Sequence, residues 1–447
     1  MRRIRWATIT LVVALAATAA VGTAPASSLP GRTAASKPAA TEVGVTPTQI
    51  HVAVVADVDN SIAPNLFAGS RDAVLGFARY VNQTGGIAGR KLVVDFYDSK
   101  LNPNETRNAE IQACQNDLAI VGTSSVFLVS VDDMRTCKDK AGAATGLPDI
   151  PFVTTARVQA CSDQSFPVTG SLVVCSTQND HPQTYVAPVG RGLYWQKKFG
   201  SDLHGVYVFG SDSKSARDSS FETLGQLRTI GIKSDGDFDR SASAQQSEYT
   251  PIVQAIKSKG STYAQCTGQY TCTVLLRKEA SLQGVTSVKV WDCGGQCYDP
   301  KFLATGGPDV EGEYIYLNYL PFLDKKEQKA NKMLGNFVKY TGADKVDGFG
   351  AYAWPAAEAF REAVDSVVKK DGVNGITRQS LFGALNGIHD LDAGGMFGTT
   401  DLAARQVTNC FVLLQVQHGQ FVRVYPKKVG TMSCAPKNLM DVKLDIS

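Results

Sequence analysis

The chain has 447 residues, 43% of them hydrophobic, which is room for two or three domains with real cores and too apolar a composition for a disordered chain. Its formal charge of +3 comes from the first 26 residues, where Arg2, Arg3 and Arg5 stand without an acid; the remainder carries 42 basic and 42 acidic residues. A nucleic-acid binder shows a clustered basic excess, so that class is excluded.

The first predicted element is a targeting segment. Met1 to Trp6 is basic, Ala7 to Gly22 is an uncharged apolar run, and Ala24-Pro25-Ala26 supplies the small-x-small end of a secretory signal peptide over 1–26. The run is 16 residues long and Ala-rich, whereas a membrane span needs about 20 strongly apolar residues. The first cysteine is Cys114, which excludes a lipid anchor on a new N-terminal cysteine. Residues 27–45, rich in Ser, Ala, Pro, Thr and Gly, read as a flexible leader.

The mature chain then alternates. Val52 to Val58 reads as a strand, Ala63 to Asn82 as an amphipathic helix, and Lys91 to Tyr97 as a second strand after a Gly-Gly turn. A helix from Pro103 to about Asn116, a strand at Leu118 to Gly122, a helix at Val129 to Ala144 and a strand at Ile150 to Val153 follow. Such alternation means βαβ units and a mostly parallel sheet. Arg157 to Asp180 is irregular. Alternation resumes with helices at 185–199, 215–230, 249–259 and 273–283 and strands at 206–209, 263–265 and 288–291. Glu313 to Tyr319 is extended, helices follow at 325–340, 349–369 and 378–385, and strands at 410–417 and 420–424 close a hairpin around His418-Gly419.

Ten cysteines, all in the mature part, suit disulfides in an oxidising compartment. Sequential pairing would join Cys114 with Cys137, Cys161 with Cys175, Cys266 with Cys272, Cys293 with Cys297 and Cys410 with Cys434. Spacing alone leaves open that Cys266 and Cys272 pair instead with Cys293 and Cys297. A zinc knuckle from those four is disfavoured, because five residues separate Cys266 from Cys272, outside the tight C-x2-4-C pattern that Cys293 and Cys297 alone would meet; no metal and no cofactor is expected.

Several phrases together resemble the leucine/isoleucine/valine-binding protein family, the substrate-binding components of ABC importers with a type I periplasmic-binding fold. They are Gly44 to Val54, the stretch Tyr80-Val81-Asn82-Gln83-Thr84-Gly85-Gly86-Ile87-Ala88-Gly89-Arg90-Lys91-Leu92, Ile120 to Ser125, Phe349 to Val364 and Gln415 to Phe421. The resemblance runs from about 45 to 425 in order. It implies an α/β architecture of two doubly wound Rossmann-like lobes with a central cleft and three crossover segments. Lobe 1 would be 46–178 and 313–388, lobe 2 would be 179–312 and 389–430, and 431–447 a C-terminal tail.

The resemblance also implies a receptor that is not an enzyme. It would trap a small polar solute (an amino acid, amide or small carboxylate) by hinge closure and present it to a membrane permease, working outside the cytoplasm as a monomer. Ligands of open α/β sheets bind beyond the carboxyl ends of strands. There lie Ser124 and Ser125, Thr154 and Thr155, Asp212, Thr267 and Tyr270, and Asp292 and Gln296. Hydroxyls and N–H groups at such turns suit a carboxylate, though Ser and Thr also serve there as plain helix caps. Phe67 and Trp354 would pack on an apolar part of the ligand or belong to the core. Family amino-acid binders place an acid after the strand matching Val288 to Trp291; here Cys293, two glycines and Gln296 stand beside Asp292, which puts an α-amino acid ligand in doubt. The chain has no G-x-S-x-G, H-E-x-x-H or P-loop phrase, which weighs against a secreted α/β hydrolase. A sensor or scavenger of the same fold is the other alternative.

Overall fold

The computed structural model describes residues 37–154, 156–171, 175, 183–210, 217, 220 and 224–444. The expected signal peptide and most of the leader, 1–36, lie outside them, as do Thr155 and Asp212.

Strands β1 (Gln49–Ala56), β2 (Lys91–Asp98), β3 (Ile120–Val121) and β4 (Asp149–Ile150) form a parallel sheet in the order β2-β1-β3-β4. β1 is Val-rich and almost wholly buried, the pattern of a central parallel strand covered on both faces. The helices Ala68–Gln83, Lys332–Thr341 and Gly348–Asp371 pack together over this sheet, with Phe77 edge-on to Trp354 at 5.1 Å and Phe337 edge-on to it at 5.6 Å.

A second sheet holds β6 (His204–Gly210), β7 (Lys233–Arg240), β8 (Tyr263–Cys266), β9 (Val290–Cys293), β10 (Tyr314–Leu317), β11 (Cys410–Gln417) and β12 (Gln420–Tyr425) in the order β12-β11-β10-β9-β8-β6-β7. Its strands from β7 to β10 are parallel, whereas β11 and β12 run antiparallel at the other edge. The two sheets, each clothed by helices, are the two α/β lobes. Strand β5 (Gln183–Pro188) pairs with β14 (Leu439–Leu444) in a separate ribbon, and β13 (Ser433–Cys434) pairs with β11.

Five expectations change. First, β10 was expected to open the return into lobe 1; it is hydrogen-bonded between β9 and β11, so the chain leaves the larger sheet only after Leu317. Glu313 at its start is buried against Arg277, whose Nη1 lies 3.3 Å away and whose Nη2 and Nε donate to the main-chain oxygens of Glu311 and Asp309. Second, β7 was missed. Its sequence KSDGDFDR offers one apolar side chain, which suffices at an edge where one flank has no partner. Third, the helix expected at 129–144 shrinks to Asp132–Arg135. Asp139 captures the N–H groups of Ala141 and Ala143 and the Thr145 hydroxyl, a local alternative to the helix ladder.

Fourth, residues 37–45 of the leader are tied down. The buried Arg90 guanidinium donates to the carbonyls of Thr46 at 2.8 Å, Ala39 at 3.0 Å and Val373 at 3.1 Å, and Thr41 Oγ1 donates to Ile376 O at 2.6 Å. Fifth, the expected tail carries β13 and β14. The disulfides are the sequential set: 114–137, 161–175, 266–272, 293–297 and 410–434.

One buried acid makes a pH prediction. Glu110, 2% exposed on the helix Pro103–Asn116, leaves its Oε1 without a partner. Burial, then the nearby Asp149 and Asp133, push its carboxyl up to about 9. The folded state thus holds a proton that the unfolded chain releases. Relative stability is full below the unfolded value and falls as pH rises through that of the fold. Glu110→Gln should flatten this slope and stabilise the protein at pH 7 by about 3 kcal/mol, read by urea unfolding between pH 5 and 9.

Candidate functional site

In both lobes the parallel strands deliver loops to their carboxyl edge. In the first, β1 runs into Asp57, which is fully buried and organises that edge. Its Oδ1 accepts from Ser99 Oγ at 2.6 Å and Leu101 N at 2.7 Å, and its Oδ2 from Val126 N at 2.8 Å. Burial pushes this carboxyl up, and those three donors hold it down. The acid closing the run VAVVAD was the available cue for Asp57, which the sequence reading passed over.

Ser124 bridges to β1, donating its N–H to Val55 O at 2.9 Å and accepting from Asp57 N at 3.2 Å. Its hydroxyl is buried without a partner. Ser125 is also buried, its hydroxyl 2.7 Å from that of Thr106. Thr154 follows β4 and is half-buried. Phe67 is packed edge-on against Phe152 at 5.6 Å and Phe349 at 5.0 Å. Trp354 is wholly buried, one and a half turns inside its helix rather than at its mouth, and belongs to the core.

In the second lobe the carboxyl ends of β6, β7 and β8 surround a cavity of about 320 Å³. Gly210, Arg240 to Gln245, Tyr249, Thr267 to Gln269, Thr271, Cys272 and Leu275 line it. Arg240 lies over the Tyr249 ring and donates to the main-chain oxygens of Asp239 and Glu248, while its Nε–H is left without a partner. Thr267 bonds back to Val208 O at 3.3 Å and Ser220 Oγ at 3.1 Å. The cavity therefore pairs one guanidinium with hydroxyl and amide groups, chemistry suited to a carboxylate. Arg240 and Ser243 escaped the sequence reading because β7, which ends on Arg240, was not seen as a strand.

The expected loops do not share this cavity. It takes Thr267 to Gln269 but none of Ser124, Ser125, Thr154, Asp292 or Gln296. Tyr270, next in the chain, packs toward Phe302 at 6.5 Å. Asp292 points into the interior: its Oδ2 accepts from Tyr263 OH at 2.7 Å and pairs with Arg191 Nε at 3.2 Å. Arg191 in turn lies over the Tyr316 ring at 4.7 Å and donates to Gln226 Oε1 at 3.0 Å. Burial raises the Asp292 carboxyl, and the guanidinium pulls it back. Gln296 folds over Gly294 inside the loop that Cys293 and Cys297 close. That loop touches the first lobe: a Cβ on Gly348 would lie 2.7 Å from Gly295 O, so only glycine admits this approach.

Known proteins agree with this architecture. The structure is similar to a fatty acid ABC transporter substrate-binding protein from Thermomonospora curvata, at 16% identity and TM-score 0.65 over 87% of this chain and 97% of that one. It is also similar to a branched-chain amino acid ABC transporter protein from Thermus thermophilus with bound valine, at 14% identity and TM-score 0.64 over 88% and 98%. A leucine binding protein from Thermotoga maritima matches at 13% identity and TM-score 0.60 over 84% and 97%. Among curated protein sequences none matches significantly. The periplasmic binding protein family model matches residues 49–420, most of the chain. By that match and by its two α/β lobes of type I periplasmic-binding fold, the chain belongs to the periplasmic binding protein family.

Proposed function

We propose that this chain is the extracytoplasmic receptor of an ABC importer and that it captures a small carboxylate lacking an α-amino group. The carrying observation is the cavity at the ends of β6, β7 and β8, where Arg240 lines the wall together with the hydroxyl residues Ser241, Ser243, Thr267 and Thr271. Family membership supports a solute receptor, and the fatty acid and valine named for the two relatives both bear a carboxylate. The lack of an acid among the cavity's described lining residues supports a ligand without an ammonium group. An α-ammonium group wants an acid, and Asp292 is already engaged by Arg191 and Tyr263.

In this reading the mature protein, freed of residues 1–26, works as a monomer and hands its solute to a permease. Hinge closure would bring the loops carrying Ser124, Ser125 and Thr154 in one lobe over the cavity of the other. The lobe 1 segments are then 46–178 and the stretch from β10's end to about 388. With basic and acidic residues equal outside the first 26, selection rests on local groups rather than on a long-range field.

Two carboxylates with one carbon skeleton, differing by an α-ammonium group, test it. 3-Methylbutanoate at a hundredfold its Kd should stabilise the protein by about 2.7 kcal/mol, visible as a raised Tm, while valine at the same concentration should not. Arg240→Met should abolish the shift. Absence of a shift across a panel of small carboxylates and amino acids would sink the proposal; a shift with valine alone would overturn the ligand class.

A further inference from the structure

A second polar cluster lies away from the loops described above, on the first lobe. His51 is the third residue of β1, Asp95 lies in β2, and Asp117 follows the helix Pro103–Asn116. Neighbouring parallel strands bring the first two together, because Ala53 and Asp95 are paired in register. Ser124 and its neighbours emerge at the opposite, carboxyl end of the same strands. His51 Nδ1 is 2.8 Å from Asp95 Oδ2. Among the described residues, one ligand atom from each of His51, Asp95 and Asp117 falls within 4.8 Å of the others.

The second observation concerns Asp117. It is fully buried, its Oδ2 accepts from Tyr97 OH at 3.1 Å, and its Oδ1 has no partner. Arg378, packed beside it, donates to the Asp117 main-chain oxygen at 2.6 Å. A buried carboxylate oxygen without a donor is costly unless a proton or a cation meets it. The His51 ring is oriented for that cation. Its Nδ1 lies at hydrogen-bond distance from Asp95 Oδ2, and its Nε2 is 3.3 Å from Gln49 Oε1, an acceptor placed to hold the Nε2–H of an imidazole bound to metal through Nδ1. An open cavity of about 350 Å³, lined by Gly44, Thr46, His51, Asp95, Tyr97 and Asn116, gives access from solvent.

We infer that His51, Asp95 and Asp117 bind one divalent transition-metal cation, with zinc as the best-matched ion. One imidazole nitrogen and two carboxylate oxygens form a borderline donor set of the kind zinc accepts, leaving a fourth position for water from the cavity. The three ligands are spread over 51, 95 and 117, so no short motif announces them. The site ties β1 and β2 to the segment leading into β3, beside Gly44 and Thr46 of the chain that Arg90 clamps.

The full chain, stripped with chelator and dialysed, is to be titrated with zinc chloride alone and, separately, with cobalt(II). The expected result is one equivalent bound per chain, a raised Tm, and a cobalt absorption spectrum of low-coordinate type. His51→Ala and Asp117→Asn should lose the bound equivalent, and Gln49→Ala should weaken it by about 10–100-fold. His389→Ala breaks the exposed His389–Asp401 pair and should leave the stoichiometry unchanged. Circular dichroism of each variant confirms that it is folded. Wild-type protein that binds no zinc, or a folded His51→Ala that binds it equally, overturns the site.

Discussion

Arg191→Met should destabilise the protein by about 3–5 kcal/mol, because it leaves the Asp292 carboxylate buried with no opposing charge. The side chain of Arg191 is 3% exposed and that of Asp292 1%, so water cannot replace the lost partner. Tyr263 remains to donate one hydrogen bond, and Asp292 Oδ1 has no partner even with Arg191 in place. The double variant Arg191→Met, Asp292→Asn removes the stranded charge and should recover a large part of the loss. Urea denaturation of the three proteins at pH 7 reads the effect. A cost below about 1 kcal/mol for the single variant would mean that Asp292 is free to serve elsewhere, a ligand's ammonium group included.

Gly205→Ala should cost at least about 3 kcal/mol, at or beyond the upper end of ordinary overpacking. Gly205 sits in β6 opposite Tyr263 of β8, at the point where the β6–β7 register shifts. A Cβ there would stand 1.7 Å from the Tyr263 carbonyl oxygen. Backbone cannot swing aside as a side chain can, so the strand pair must part. Gly210 at the other end of β6 is the control, since nothing lies within 4 Å of its added Cβ. Gly210→Ala should change stability by less than about 0.5 kcal/mol. Thermal unfolding of the two alanine variants checks both, and equal Tm values would refute the close approach.

How far these features were legible depends on which force sets them. Strands buried on both faces announce themselves: β1 and β6 are apolar runs, and their helices carry a periodic stripe. The family likeness, read largely from the phrase around Gly85-Gly86-Ile87, also came through. Where tertiary packing overrides local pattern, legibility ended. β7 is polar because it is an edge, and β10 reads as extended without revealing which sheet claims it. Asp292 follows its strand as a binding acid would, yet Arg191, 101 positions earlier, takes it into the core. Thr267 lines a cavity within its own lobe rather than a cleft shared with Ser124, Thr154 and Asp292, and Arg240 was hidden behind the missed strand. The cluster of His51, Asp95 and Asp117 joins three elements and leaves no local trace.

The cysteine pairing bears on how the chain is made. Each bond links a cysteine to the next one along the sequence, at separations of 23, 14, 6, 4 and 24 residues. Ten thiols allow roughly 900 complete pairings, of which this is the one reached by joining each thiol to the next to appear. An oxidase acting on a chain that emerges N-terminus first therefore arrives at the native set in order of appearance. Biogenesis outside the cytoplasm then needs oxidising power but little reshuffling, and a host that supplies an oxidant without an isomerase should suffice to produce the protein.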